Sequence, residues 1–139
     1  MMTARETAME FIGGINDHSI GKLTTLMADD HVFVDSLGNS LVGRVAMRDA
    51  WVNYFYLVPD YRIVIEQTME TENCIALFGS AEGTCRIGDA LLEANHWKMP
   101  AAWRVVAHEG KISVWQVYAD NEPVREILSR AEGSARNSH

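Results

Sequence analysis

The chain contains no uninterrupted apolar run approaching the roughly 18 residues that would read as a membrane-spanning helix. Cysteine is scarce. Cys74 and Cys85 lie in strand-like segments and form no C-x-x-C pair, so reduced, buried thiols are expected rather than a disulfide or a metal clip. Positive charge is also scarce: 12 Lys and Arg stand against 19 Asp and Glu, a formal net charge of −7. With no basic stripe to offset that balance, nucleic acid and anionic membrane surfaces are excluded as partners. There is no G-x-G-x-x-G or P-loop, and the histidines and carboxylates lack metal-ligand spacing. No cofactor and no metal are therefore expected. Ser36 lacks a nucleophile elbow, which argues against serine hydrolase chemistry. The opening residues Met1 to Glu6 show no apolar signal segment, so a cytoplasmic location is expected.

What is present fits one globular domain. The 139 residues are 47% hydrophobic and 22% charged, enough for a single core and with no sign of a repeat. The domain is expected to span residues 1–130, with 131–139 as a frayed polar tail. Thr3 and Glu6 form a capping-box pattern ahead of Ala8, Phe11, Ile12 and Ile15, the apolar face of a first helix. A short second helix carries Ile20, Leu23, Leu26 and Met27 and is closed by Asp29-Asp30. A third runs from Val45 to Val58, with Met47, Trp51, Tyr54 and Val58 on one face, and stops at Pro59-Asp60. Strands are expected at 31–35, 61–65, 74–86, 97–106 and 111–118, the last two joined through Ala107 to Gly110. Residues 36–40 read as a turn, and 122–128 as a short final helix. Helices first and a long antiparallel sheet afterwards predict an α+β fold with the helices on one face of a curved sheet.

Two stretches carry a family resemblance. Ala28-Asp29-Asp30, Val34-Asp35, Leu37-Gly38 and Gly43 opening a helix are similar to the N-terminal part of ketosteroid isomerases. Gly110-Lys111-Ile112, Trp115, Tyr118 and Asp120 are similar to the closing hairpin of those enzymes and of SnoaL-like proteins. The chain thus resembles the nuclear-transport-factor-2-like superfamily over nearly its whole length. The resemblance implies a cone-shaped fold: a curved antiparallel or mixed sheet wrapped around three N-terminal helices, enclosing an apolar pocket. It also implies a homodimer formed through the outer sheet face, for which Trp97, Trp103 and Val105 are candidates.

In the isomerases, the carboxylate at the end of the strand before helix three is the general base, and Asp35 occupies that position. The alternative reading of Asp35 is a turn-starting residue, for which Asp is favoured. The isomerases' oxyanion donors, a tyrosine and a protonated aspartate, map by ungapped counting onto Phe11 and Ala102, which are not donors. Losing one such donor typically costs about 10²–10³ in rate, so steroid isomerisation by that route is disfavoured. The epoxide-hydrolase branch places an aspartate two residues after a strand tryptophan, where this chain has Val117 after Trp115.

Strand alternation puts His31, Phe33 and Asp35 on one face, with His31 expected at the solvent rim. Trp51 and Tyr54 are candidate pocket aromatics, Tyr54 with a hydroxyl that needs a partner. Trp115 and Val117 would form an apolar wall. His96 and Arg104 share parity with Ala102 and would face Asp35, unless a bulge at Pro100 reverses them. The expected ligand is a small apolar or aromatic molecule, and the expected reading is a proton-transfer enzyme of isomerase, cyclase or hydratase type. A non-catalytic hydrophobic-ligand-binding or accessory protein is the alternative.

Overall fold

Thr3 opens the first helix, α1 (Ala4–Asn16), through a reciprocal pair of bonds: its hydroxyl accepts from the Glu6 amide at 3.1 Å, and the Glu6 carboxylate accepts from the Thr3 amide at 3.0 Å. The computed structural model describes residues 1–137, with side chains through Gly133. After α1 come α2 (Ile20–Leu26), β1 (Met27–Val34), β2 (Ser40–Val42) and α3 (Arg44–Leu57). Then follow β3 (Arg62–Thr71), β4 (Cys74–Thr84), a 3₁₀ turn (Glu93–Asn95), β5 (His96–His108), β6 (Lys111–Ala119) and α4 (Glu122–Asn137). Among the described residues, no helix is long and apolar enough to cross a membrane.

The six strands form one mixed sheet in the order β2-β1-β6-β5-β4-β3. All neighbours are antiparallel except β1 and β6, which run parallel. The sheet curves without closing around α1, α2 and α3, as the cone expectation required. Along β5 the residues alternate, even-numbered ones outward and odd-numbered ones buried, so that Trp97, Met99, Trp103 and Val105 meet the helices. Part of the curvature arises where β3 shifts register between Ile65 and Gln67. There Gly79 of β4 lies so close to β3 that a Cβ would stand 1.8 Å from the Val64 carbonyl oxygen.

Asn16, the last residue of α1, ties the helix to the sheet. Its Nδ2 donates to the Ile63 carbonyl and its Oδ1 accepts from the Ile63 amide, each at 2.9 Å, so the side chain acts as a short extra strand.

Several boundaries differ from the sequence reading. The second helix ends at Leu26 rather than at Asp29-Asp30, because Met27 already pairs with Ile112 of β6. Asp29 and Asp30 sit exposed in the irregular stretch of β1 that follows. Residues 40–42 form a strand, where the expected turn covered 36–40 and no strand was expected after it. The final helix continues to Asn137, well past 128, so residues 131–137 of the expected frayed tail are helical, and Ser138 and His139 lie outside the described residues.

The candidate ligand cavity and its mouth

Between α3, the inner face of the sheet and the start of α4 lies a cavity of about 580 Å³. Its floor is apolar and aromatic: Met47 and Trp51 from α3, Trp97, Met99 and Trp103 from β5, and Trp115 from β6 are all at most 5% exposed. Its mouth is polar. Asp35, Ser36, Asn39 and Ser40 come from the β1–β2 connection, and Asn121 and Arg125 from the start of α4. Asn121 Nδ2 donates to Ser36 Oγ, which links the two rims. Val124 and Leu128 of α4 complete the enclosure.

Asp35 is half-buried and lines this mouth. Its Oδ1 accepts from the amides of Leu37 and Asn39, both at 2.9 Å, and its Oδ2 accepts a longer bond, 3.3 Å, from Asn39 Nδ2. Partial burial pushes its pKa up, but the bonds from the Asn39 and Leu37 amides and the Asn39 side chain outweigh it and hold the carboxyl below its usual range. The turn-starting role therefore accounts for much of its environment. An unpaired, deeply buried carboxylate is not what the fold provides, because the residue that follows β1 must also hold the turn to β2.

The interior side opposite β1 is built differently. Tyr54 on α3 and Tyr61, just before β3, meet edge-on with ring centroids 4.9 Å apart. Trp51 lies 6.5 Å from the Tyr61 ring, and Trp97 lies 6.1 Å from it. Burial raises the pKa of both phenols, and each stays protonated at any ordinary pH; for Tyr54 the nearby Tyr61 and Cys85 add to the effect. Among the described residues, neither hydroxyl has a hydrogen-bond partner. Tyr61 escaped the sequence reading because it follows the Pro59-Asp60 helix stop, where only a strand onset is signalled.

The structure brings Phe33, Trp51, Tyr54, Trp115 and Val117 to the cavity lining with Asp35. It does not bring the others. Phe11 is fully buried beneath the floor, its ring 4.9 Å from that of Trp115, and is not a lining residue. Ala102, Arg104 and His96 point to the outer side of the sheet, because β4 and β5 pair without a register shift from Cys74–Val106 to Thr84–His96 and Pro100 introduces no bulge. The shift lies instead between Val106 and Ala107 against β6, which displaces the count from Gly110 by one and puts Ala101 and Trp103 inside. His96 meets Thr84 Oγ1 at 2.9 Å and Glu82 at 3.4 Å, in a separate shallow depression with Pro59 and Asp60. The same parity removes Trp97, Trp103 and Val105 from any outer dimer face. His31 is not at the rim either; it is fully buried.

The sequence model of the SnoaL-like domain matches residues 8–115. The chain belongs to the SnoaL-like domain family. No curated protein matches it. Among solved structures, this SnoaL-like chain is similar to a protein of Shewanella denitrificans named after SnoaL-like polyketide cyclases. The TM-score is 0.78 at 13% identity, covering 91% of this chain and 97% of that one. It is also similar to a Catenulispora acidiphila protein with a ketosteroid-isomerase-like fold, solved with trimethylamine: TM-score 0.74, 16% identity, and coverage of 86% and 88%. IdmH of Streptomyces antibioticus, whose name likewise refers to polyketide cyclases, aligns with TM-score 0.76 at 17% identity over 92% and 99%. At these identities the likeness is one of fold.

Proposed function

We propose that this protein is a small-molecule enzyme that holds a largely apolar substrate in the cavity and uses the Asp35 carboxylate for proton transfer, in an isomerase, cyclase or hydratase type of reaction. The observation that carries this reading is that Asp35 is the one carboxylate among the residues lining a cavity whose floor is apolar and aromatic. Membership of the SnoaL-like family, with fold relatives named after polyketide cyclases, supports it.

The hydrogen bonds divide the labour within Asp35. Oδ1 is committed to the turn, while Oδ2 has a single long bond and keeps a lone pair for a substrate proton. A carboxylate held below its usual pKa is always ionised near neutrality but is a weak base. It can remove a proton from carbon at a useful rate only if the developing negative charge is stabilised elsewhere on the substrate.

Asp35→Asn keeps an acceptor for the Leu37 and Asn39 amides and removes the base. Screened against aromatic and polycyclic ketones, the wild type should show turnover or hydrogen–deuterium exchange at the carbon next to the carbonyl. Asp35→Asn should lose it by about 10²-fold or more while still binding. Unchanged exchange in that variant would defeat the assignment.

The involvement of Asp35 in its own turn also favours a second reading, a binding or accessory protein without chemistry. That reading expects ligand binding with no exchange in either form.

A further inference from the structure

Deprotonation by a weak carboxylate needs a counterpart that stabilises charge, and the positions that supply it in ketosteroid isomerases are filled here by Phe11 and by the apolar pair Ala101 and Trp103. The residues lining the cavity nevertheless include four donors without a protein partner among the described residues: the indole N–H groups of Trp51 and Trp97 and the hydroxyls of Tyr54 and Tyr61. Tyr54 and Tyr61 are half-buried and line the cavity. Unlike the sealed indole N–H groups of Trp51 and Trp97, the two hydroxyls are not closed off, so they can donate to a molecule in the cavity. Two such phenols in edge-to-face contact, in one wall of one cavity, point to a ligand atom.

We propose that Tyr54 and Tyr61 form an acceptor-oxygen subsite that receives a carbonyl oxygen of the substrate, which is accordingly a flat, conjugated ketone or quinone-type molecule. This rests on the cavity's being the ligand site, the first half of the functional reading above.

The chemistry of the surroundings selects an oxygen that accepts. Trp51 and Trp97 pack against the two phenols, and their indole nitrogens only donate, so they take no proton from a ligand donor. Burial keeps both phenols protonated, so they donate. A carbonyl oxygen has two lone pairs, matching two donors, and binds more strongly as negative charge builds on it. The aromatic rings of Trp51, Trp97, Trp103 and Trp115 present flat faces and edges to the remainder of a conjugated ligand.

The position suits the division of labour. Asp35 immediately follows β1, and Trp97, against which the Tyr61 ring packs, lies on β5, two places away in the sheet across β6. By register Asp35 is level with Trp103, six residues along β5 from Trp97, so the mouth carboxylate and the phenols are separated along the strands as well as across them. The donors thus come from α3 and the approach to β3 rather than from α1 and β5, where the resemblance placed them.

The test uses an isosteric pair of probes, 2-acetylnaphthalene and 2-isopropenylnaphthalene, which differ only in carrying a carbonyl oxygen or a methylene. Binding is followed by quenching of tryptophan fluorescence and by the infrared stretch of the ¹³C-labelled carbonyl. The wild type should prefer the ketone by more than tenfold, with the stretch shifted to lower frequency than in water. Tyr54→Phe and Tyr61→Phe should each weaken the ketone about five- to tenfold and reverse part of the shift, leaving the hydrocarbon unchanged. Equal binding of the two probes by the wild type, or equal weakening of both by the Phe variants, would overturn the subsite and leave the cavity and Asp35 untouched. Binding of neither probe would overturn the cavity reading and the subsite with it. If Asp35→Asn keeps the preference for the ketone, as expected, the subsite stands whatever the outcome for proton transfer.

Discussion

His31 Nδ1 lies 2.8 Å from the carbonyl oxygen of Ile112, a bond that joins β1 to the parallel strand β6 in the fully buried part of the core. A carbonyl only accepts, so Nδ1 carries the proton, and Nε2 is left as a buried acceptor without a partner. Desolvation lowers the His31 pKa below 6.5, partly offset by the Ile112 bond and by Asp30.

A pH dependence of stability follows from that bond. With the folded pKa depressed, the unfolded chain binds the extra proton first, so the contribution of neutral His31 is complete above about pH 6.5 and declines as the pH falls from there through the folded value. Denaturant melts between pH 8 and pH 5 should show this loss. His31→Gln, which can still donate to Ile112, should flatten the curve in that window; an unchanged slope would assign the effect to other groups.

The Asn16 clamp supports a second expectation. Asn16→Ala leaves the Ile63 amide and carbonyl without their partner and should lower stability by about 1–3 kcal/mol. Asn16→Asp keeps one of the two bonds and should fall between the wild type and Asn16→Ala. Chemical denaturation of the three proteins measures the order.

Gly79 permits no side chain. With a Cβ 1.8 Å from the Val64 oxygen, Gly79→Ala must push β3 and β4 apart at the register shift and should cost about 1–3 kcal/mol or more. Gly21 meets nothing within 4 Å, and Gly21→Ala, in α2, serves as the control that should not destabilise.

Asp35 should titrate below 3.8 in a carboxyl NMR experiment. A depressed carboxylate adds stability above the unfolded value, and that contribution disappears as the pH falls through the folded one. Asn39→Ala removes the side-chain donor while keeping the amide bond, so the midpoint should move up towards 3.8. A wild-type midpoint above 3.8 would contradict the turn geometry.

A homodimer through the outer sheet face cannot use the tryptophans once expected there. The outer face instead carries Phe78 and Tyr118, 41% and 52% exposed, on either side of Ala102. If the sheet face pairs, light scattering should give twice 15.6 kDa, and Phe78→Glu should return it to 15.6 kDa. A wild-type monomer would remove the dimer from consideration.

The helices and strands were legible because their periods differ: a 3.6-residue stripe through Met47, Trp51 and Tyr54, and alternation in β5. The inner wall of β6 was legible for the same reason, since Trp115, Val117 and Ala119 all line the cavity. The face of β5 was not, because one register shift near Ala107 lies between the hairpin glycine and the residues counted from it, and a single step reverses every side chain. Alternation correctly grouped His31 with Asp35 but carries no depth: His31, four residues earlier in the chain, is fully buried, while Asp35 lines the mouth. The unpartnered hydroxyl of Tyr61 has no signature in the sequence at all, since it depends on what the fold fails to place beside it.

The contribution of α4 to the cavity also has a consequence for the order in which the protein is made. All six strands and the whole aromatic floor precede Asp120 in the chain, whereas Asn121, Val124, Arg125 and Leu128 follow it. During synthesis the sheet can fold around an open trough, and the ribosome delivers the last wall of the binding chamber only after the rest of the domain has emerged.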